Sequence, residues 1–199
     1  TKMIRLIALL FILFTCPILA QNFDAGFIGG FTASQISGDG LAGFDKGGAR
    51  FGAYISYPLK KKMNFQVEMQ YIQKGSKSPS GKEGFSNYTM NLHYLELPFT
   101  LNYKLKDGIV LESGLGPGIL FAYSEKDEIG ELGGISPSIF ALDFLCGLHY
   151  QFLDNLKIGV RYGNSLLPIR GKSNISDSEK NKEWYSSSVS FALMYQISR

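Results

Sequence analysis

The segment Asn64-Phe65-Gln66-Val67-Glu68-Met69-Gln70-Tyr71 alternates polar and apolar residues without interruption. A period of two places successive side chains on opposite faces of a β-strand, so its four apolar residues share one face. In an α-helix the same four residues would scatter around the cylinder and form no stripe. The segment therefore predicts a strand with one apolar and one polar face.

Similar runs recur to the C-terminus and predict eight strands, at about 23–36, 49–57, 64–74, 92–104, 109–123, 138–152, 156–165 and 184–197. The connections after the second, fourth and sixth strands are short. Those after the odd-numbered strands are longer and rich in glycine, serine and charge. This alternation is typical of an all-β, eight-stranded, antiparallel up-and-down transmembrane β-barrel, with short periplasmic turns and long extracellular loops.

Alternation alone does not separate a membrane barrel from a soluble lipocalin-like barrel, whose apolar face points inward. The polar face of strand eight is Ser186, Ser188, Ser190 and Ala192, and that of strand five is mostly glycine. Such small residues make a poor solvent-facing surface but suit the narrow lumen of an eight-stranded barrel.

Aromatic residues on the apolar face fall into two groups, one near each end of the strands, as interfacial girdles require. The short-turn group is Tyr57, Phe65, Tyr103, Tyr150, Phe152 and Tyr195; the long-loop group is Tyr71, Phe121, Tyr123, Tyr162 and Tyr185. The membrane barrel is the preferred interpretation.

The N-terminal segment has the arrangement of an export signal. Lys2 and Arg5 precede the apolar run 6–14, which is too short to span a bilayer, and Ala20 offers a cleavage site. We therefore expect a cleavable signal peptide at 1–20, a barrel domain at 21–199 and a location in the outer membrane of a Gram-negative cell. An uncleaved anchor helix and lipidation at Cys16 are the alternatives.

The composition excludes several classes of protein. Hydrophobic residues make up 45% of the chain and charged residues 19%, which excludes disorder. The net charge of +3 is spread along the chain, so no nucleic-acid partner is expected. Beyond the signal, Cys146 is a single thiol, so an internal disulfide is impossible. The isolated His93 and His149 suggest no metal site, and no cofactor is expected.

Several segments, in their order and spacing, resemble the PorT-like outer-membrane β-barrel family of Bacteroidota. They are Ser37-Gly38-Asp39-Gly40, the run from Tyr57-Pro58-Leu59 to Gln73-Lys74-Gly75, Tyr94-Leu95-Glu96-Leu97-Pro98, Leu111-Glu112-Ser113-Gly114 and Gly159-Val160-Arg161-Tyr162. The resemblance covers essentially all of the chain after residue 20. It implies an eight-stranded outer-membrane barrel and no shared catalytic residues.

Strand parity places seven charged residues on the lumen face: Arg50, Glu68, Glu96, Glu112, Asp143, Lys157 and Arg161. Isolated charges in a closed interior are costly, so we expect them to pair in a hydrogen-bonded network. The preferred interpretation is a structural plug that holds neighbouring strands in register, because interiors of this size are usually filled. A gated ion path is the alternative.

Other features have a functional and a structural interpretation. His93 and His149 could act as general bases, but the strand assignment places them at opposite ends of the barrel. The acidic loop Ser124–Pro137 could bind a divalent cation, although a solvated acidic loop is preferred. Pro98 and Pro117 each remove a donor from a paired strand, so each predicts a β-bulge or an early strand end.

The sequence therefore predicts a non-enzymatic outer-membrane barrel with a structural role or with surface loops that bind a partner. A narrow channel or an accessory factor in envelope transport or secretion is the second hypothesis. An outer-membrane lipid-modifying enzyme is the third. The expected partners are outer-membrane lipid, the barrel-insertion machinery during assembly, and a protein or envelope component at the long loops.

Overall fold

The computed structural model describes residues 23–41, 43–78, 88–106, 108–127, 130, 136–171 and 183–198. The predicted signal peptide at 1–20 lies outside the described residues. In the described ranges no helix is long and apolar enough to cross a membrane.

The described residues form nine strand segments, whose bounds lie within three residues of the predicted ones. They are β1 Asp24–Ser37, β2 Lys46–Lys60, β3 Met63–Lys77, β4 Thr89–Glu96, β5 Phe99–Lys104, β6 Ile109–Lys126, β7 Phe140–Leu153, β8 Leu156–Ser165 and β9 Tyr185–Ser198. Segments β4 and β5 together correspond to the predicted fourth strand. Both pair with β3 on one side and with β6 on the other.

All strand pairs are antiparallel. When β4 and β5 are taken together as one strand, each strand pairs with its neighbours in sequence, and β1 pairs with β9 to close the ring. Counting β4 and β5 as one position, the ring has eight positions. The predicted eight-stranded, antiparallel up-and-down barrel is confirmed. Closure leaves no unpaired sheet edge, which is what allows strands to lie in hydrocarbon.

The two prolines interrupt hydrogen bonding without shifting the strands. Pro98 separates β4 from β5, yet Glu96 pairs with Gly118 and Phe99 with Leu115 in one continuous register. Pro117 pairs with Leu142 inside an unshifted ladder. The predicted bulges at both prolines are wrong, because a missing N–H removes one ladder bond without adding a residue. At Pro98 the alternative prediction of an early strand end is correct.

The bulge in this part of the sheet lies elsewhere. His93 pairs with Ala122 and Tyr94 with Leu120, so Phe121 is an extra residue on β6. Its ring lies 6.1 Å from that of Tyr71 and 6.2 Å from that of His93 on the outer surface.

Short and long connections alternate as predicted. The short ones span 61–62, 105–108 and 154–155 and lie at one end of the barrel with Asp24. The long ones are loop 1 (38–45), loop 2 (78–88), loop 3 (127–139) and loop 4 (166–184). Gly108 has a φ of 79°, which favours glycine, and so fixes the turn between β5 and β6.

Side chains sort by face as the alternation predicts. Outward-facing Phe27 and Phe31 are 58% and 60% exposed. Both predicted aromatic groups lie on the outer surface, whereas Arg50, Glu68 and their neighbours are buried inside. A core of charge inside a coat of aliphatic and aromatic groups is the reverse of a soluble barrel.

Candidate functional site

The centre of the lumen holds a hydrogen-bonded cluster built on Arg161. Its guanidinium donates to both oxygens of Glu68, at 2.6 and 2.8 Å, and to both oxygens of Glu112. Arg50 also donates to Glu68, with Nη2 3.3 Å from Oε2. Two arginines and two carboxylates therefore satisfy one another in a buried group.

Gln70 connects this group to a second one. Its Oε1 accepts from Arg50 Nε at 2.8 Å, and its Nε2 donates to Glu96 Oε2 at 3.0 Å. Lys74 Nζ then donates to both Glu96 and Asp143. We call the whole set the ionic layer: Arg50, Gln66, Glu68, Gln70, Lys74, Glu96, Glu112, Asp143, His149 and Arg161.

The ionic layer crosses the full width of the barrel. Glu68 is on β3 and Arg161 is on β8, four positions apart in either direction around the ring of eight. Lys74 on β3 likewise reaches Asp143 on β7, three positions away. These contacts join opposite walls, so they fill the lumen as well as tying neighbouring strands.

Burial makes the pairing obligatory. The side chains of Glu68 and Glu112 are 0% exposed and that of Arg161 is 3% exposed. A charge in such a place is tolerated when it is paired and hydrogen-bonded, and removing one partner leaves the other uncompensated. Each charge in this group therefore depends on its partners remaining in place.

Six of the seven predicted lumen residues lie in the ionic layer, and Lys157 does not. Lys157 faces the lumen nearer the short-turn end, beside Asn102 and His149. The sequence reasoning missed the roles of Gln66, Gln70 and Lys74, although all three share the parity of Glu68 on β3. That parity was the available signal.

Two glycines make room for the ionic layer. A Cβ on Gly159 would lie 2.0 Å from Nδ1 of His149, and one on Gly147 would lie 3.0 Å from Oε1 of Glu112. Small residues at these inward positions therefore accommodate the large polar side chains on neighbouring strands. His149 Nε2 in turn lies 3.1 Å from Glu112 Oε2.

Towards the long loops apolar side chains join the polar ones in the interior, and on β3 Ile72 lies between Gln70 and Lys74. A cluster that we call the apolar layer fills this level: Ile36, Ile72, Met90, Leu92, Tyr94, Leu120, Ala141 and Ile169. Met90 and Leu92 are 0% exposed. Lys74 Nζ lies 5.5 Å from the centre of the Tyr94 ring, which joins the apolar layer to the ionic layer.

The start of loop 4 folds into the barrel mouth above the apolar layer. Ile169 is 2% exposed, and its N–H donates to the Trp184 carbonyl at 2.8 Å. Arg170 Nη2 donates to Glu125 Oε2 at 2.6 Å, and the guanidinium carbon lies 4.4 Å from the centre of the Trp184 ring. The chain itself thus covers the mouth on this side.

Tyr88 and Glu125 complete the cover. Tyr88 donates its hydroxyl to Glu125 Oε1 at 2.7 Å, and burial together with that hydrogen bond raises the pKa of Tyr88. Glu125 was expected in a solvated acidic loop. It lies instead inside β6, faces inward and pairs with Arg170. Glu128 and Glu131 of the same predicted loop lie outside the described residues.

The two histidines face different environments. His93 lies on the outer surface, where its Nδ1 is 2.7 Å from the Tyr71 hydroxyl. His149 is inside the barrel and 5% exposed. In the ranges that the structure describes, no group of three or more His, Cys, Asp or Glu side chains could hold a metal ion. The charged side chains inside the barrel neutralise one another and fill the lumen.

Comparisons with known proteins agree with the fold. The Yersinia pestis attachment invasion locus protein Ail has a solved structure that matches with a TM-score of 0.52 at 14% identity, over 88% of this chain and 99% of that one. Neisserial surface protein A matches with a TM-score of 0.51 at 15% identity, over 88% and 97%. No curated protein matches the sequence.

At these identities the likeness establishes the fold alone. A family model described as "Outer membrane protein beta-barrel domain" matches residues 19–132, more than half of the 199 residues. The expected location in the Gram-negative outer membrane is confirmed, with the exposed apolar coat in contact with lipid. The chain belongs to the family of outer membrane protein beta-barrel domains.

Proposed function

We propose that this protein is a non-enzymatic, sealed outer-membrane barrel that acts as a scaffold for its four long surface loops. The observation that carries the proposal is the ionic layer, in which Arg161 reaches Glu68 on the opposite wall. The apolar layer packs against the Lys74 end of the ionic layer and fills more of the lumen towards the long loops. This combined filling supports a structural plug over a gated ion path.

Single-channel recording in planar bilayers tests the plug. The wild-type protein is expected to show no stable conductance, because side chains of both layers occupy the lumen. The double variant Glu96→Ala/Arg161→Ala removes charges from both halves of the ionic layer and is expected to show brief, small openings if it still folds. A stable wild-type pore of nanometre width would refute the plug and favour the channel hypothesis.

The long loops are the surface that remains for a partner. Ile169 and Arg170, near the start of loop 4, are held at the barrel mouth by hydrogen bonds and an ion pair. Surface crosslinking on cells, followed by mass spectrometry, should identify a neighbour that is lost when residues 172–182 are replaced by a Gly/Ser linker of equal length. A matched replacement of Asp154-Asn155 in a short turn should leave that neighbour in place. Crosslinks that survive the loop replacement would contradict a binding role for loop 4.

We further infer membership of the PorT-like branch, a cleavable signal peptide at 1–20 and assembly by the barrel-insertion machinery. The support comes from the segments and the N-terminal pattern described above.

The third hypothesis, a lipid-modifying enzyme, requires a base that acts on lipid. His93 faces the lipid side but contacts Tyr71 with no carboxylate beside it among the described residues. Lipid A mass spectra of a deletion strain should therefore be unchanged.

A further inference from the structure

The short-turn end of the barrel is rich in lysine. Its described residues include Lys60, Lys61, Lys62 and Lys106 at or beside the turns, and Lys104 and Lys157 on the lumen side, against the carboxylates of Asp24 and Asp154. In the outer membrane this end faces the periplasm and the inner leaflet of the bilayer. A basic rim at that depth attracts anionic headgroups.

One groove on the outer surface combines these charges with apolar walls. It has a volume of about 430 Å³ and is lined by Lys62, Tyr103, Leu105, Lys106 and Ile109. The apolar residues are 43%, 44% and 36% exposed in the order Tyr103, Leu105 and Ile109. Among the described residues, neither lysine of the groove forms an ion pair with a carboxylate.

Backbone hydrogen bonds bring the turns that carry Lys62 and Lys106 next to each other. The Lys104 N–H donates to the Lys62 carbonyl at 2.7 Å, which ties the turn between β2 and β3 to the end of β5. The Leu105 N–H donates to the Ile109 carbonyl at 2.8 Å, which closes the turn that carries Lys106. The backbone positions of Lys62 and Lys106 are therefore set before binding, and only their side chains remain to be ordered.

The apolar side of the groove continues along the barrel wall. A larger groove of about 630 Å³ shares Tyr103 and runs over Leu101, Leu111, Leu148 and Val160. Ser113 and Gly147 form part of its lining and add little bulk. The surface thus offers a polar end at the rim and an apolar track towards the middle of the bilayer.

We propose that this groove binds an anionic glycerophospholipid of the inner leaflet. The ammonium groups of Lys62 and Lys106 contact the phosphate, and one acyl chain lies along the track beyond Tyr103. A phosphate between two ammonium groups is a charge-assisted contact, which is stronger than a neutral one. A zwitterionic lipid carries its own cation and gains less from the two lysines.

Native mass spectrometry of the full barrel, released from detergent with phosphatidylglycerol or phosphatidylcholine, tests the proposal. The wild-type barrel should retain one phosphatidylglycerol in preference to phosphatidylcholine. Lys62→Gln/Lys106→Gln should weaken retention of phosphatidylglycerol roughly tenfold or more, given the attraction that each basic residue contributes near a membrane surface. Ser113→Phe, which fills the track from the lipid side, should weaken retention of both lipids.

The matched control is Lys60→Gln/Lys61→Gln, which removes the same charge from the same rim outside the groove. It should retain phosphatidylglycerol as the wild type does. Equal loss in the control and the groove variant would show diffuse attraction to the rim and overturn the site. Equal retention of the two lipids by the wild type would overturn the role of the lysines. Heat-modifiability on gels confirms that each variant is folded.

Discussion

The ionic layer and the apolar layer fill the same lumen by opposite means. On β3 the two alternate, because Ile72 of the apolar layer lies between Gln70 and Lys74 of the ionic layer. The ionic layer depends on directed contacts that join particular strands, such as β3 with β8. The apolar layer depends on the volume that its side chains fill and not on directed contacts. The interior is thus filled partly by directed polar contacts and partly by apolar packing.

The largest effect should come from removing the central cation. Arg161→Met leaves Glu68 and Glu112 buried without their main partner, so we expect a loss of about 3–5 kcal/mol in the free energy of unfolding. Urea unfolding from lipid vesicles, followed by Trp184 fluorescence, measures it. A loss below about 1 kcal/mol would show that water reaches the ionic layer and would remove its distinction from the apolar layer.

A smaller effect is expected in the apolar layer. Leu92→Ala deletes a side chain with no exposure and should cost about 3 kcal/mol, part of it from the cavity left behind. Leu95→Ala on the same strand faces outward, where Leu95 is 50% exposed and acyl chains refill the space. The same unfolding measurement should give the smaller loss for Leu95→Ala. Equal losses would mean that lipid also reaches the apolar layer.

The smallest of the three effects tests the room made by glycine. Gly159→Ala places a Cβ 2.0 Å from Nδ1 of His149 and should cost about 1–3 kcal/mol through overpacking. Gly29→Ala is the matched control, because no atom lies within 4 Å of its Cβ. If the two variants have equal stability, the lumen beside His149 is looser than the structure indicates.

Much of the fold could be predicted because a period of two assigns every side chain to a face. The same parity predicts Gln70, Lys74 and the apolar layer once each strand is followed to its end. The contacts of Ile169 and Arg170 could not be found in this way, because they come from a loop without periodicity. Pairing across the lumen, as between Arg161 and Glu68, also depends on barrel diameter, which no local pattern states.

Side chains from opposite walls meet inside the barrel, as Arg161 and Glu68 do. A double-mutant cycle with Arg161→Met and Glu68→Gln, measured by urea unfolding from vesicles, tests this contact directly. We predict a coupling energy above about 1.5 kcal/mol, as expected for a buried, hydrogen-bonded charge pair. Coupling near zero would mean that Arg161 and Glu68 do not interact across the lumen, which would contradict the central contact of the ionic layer.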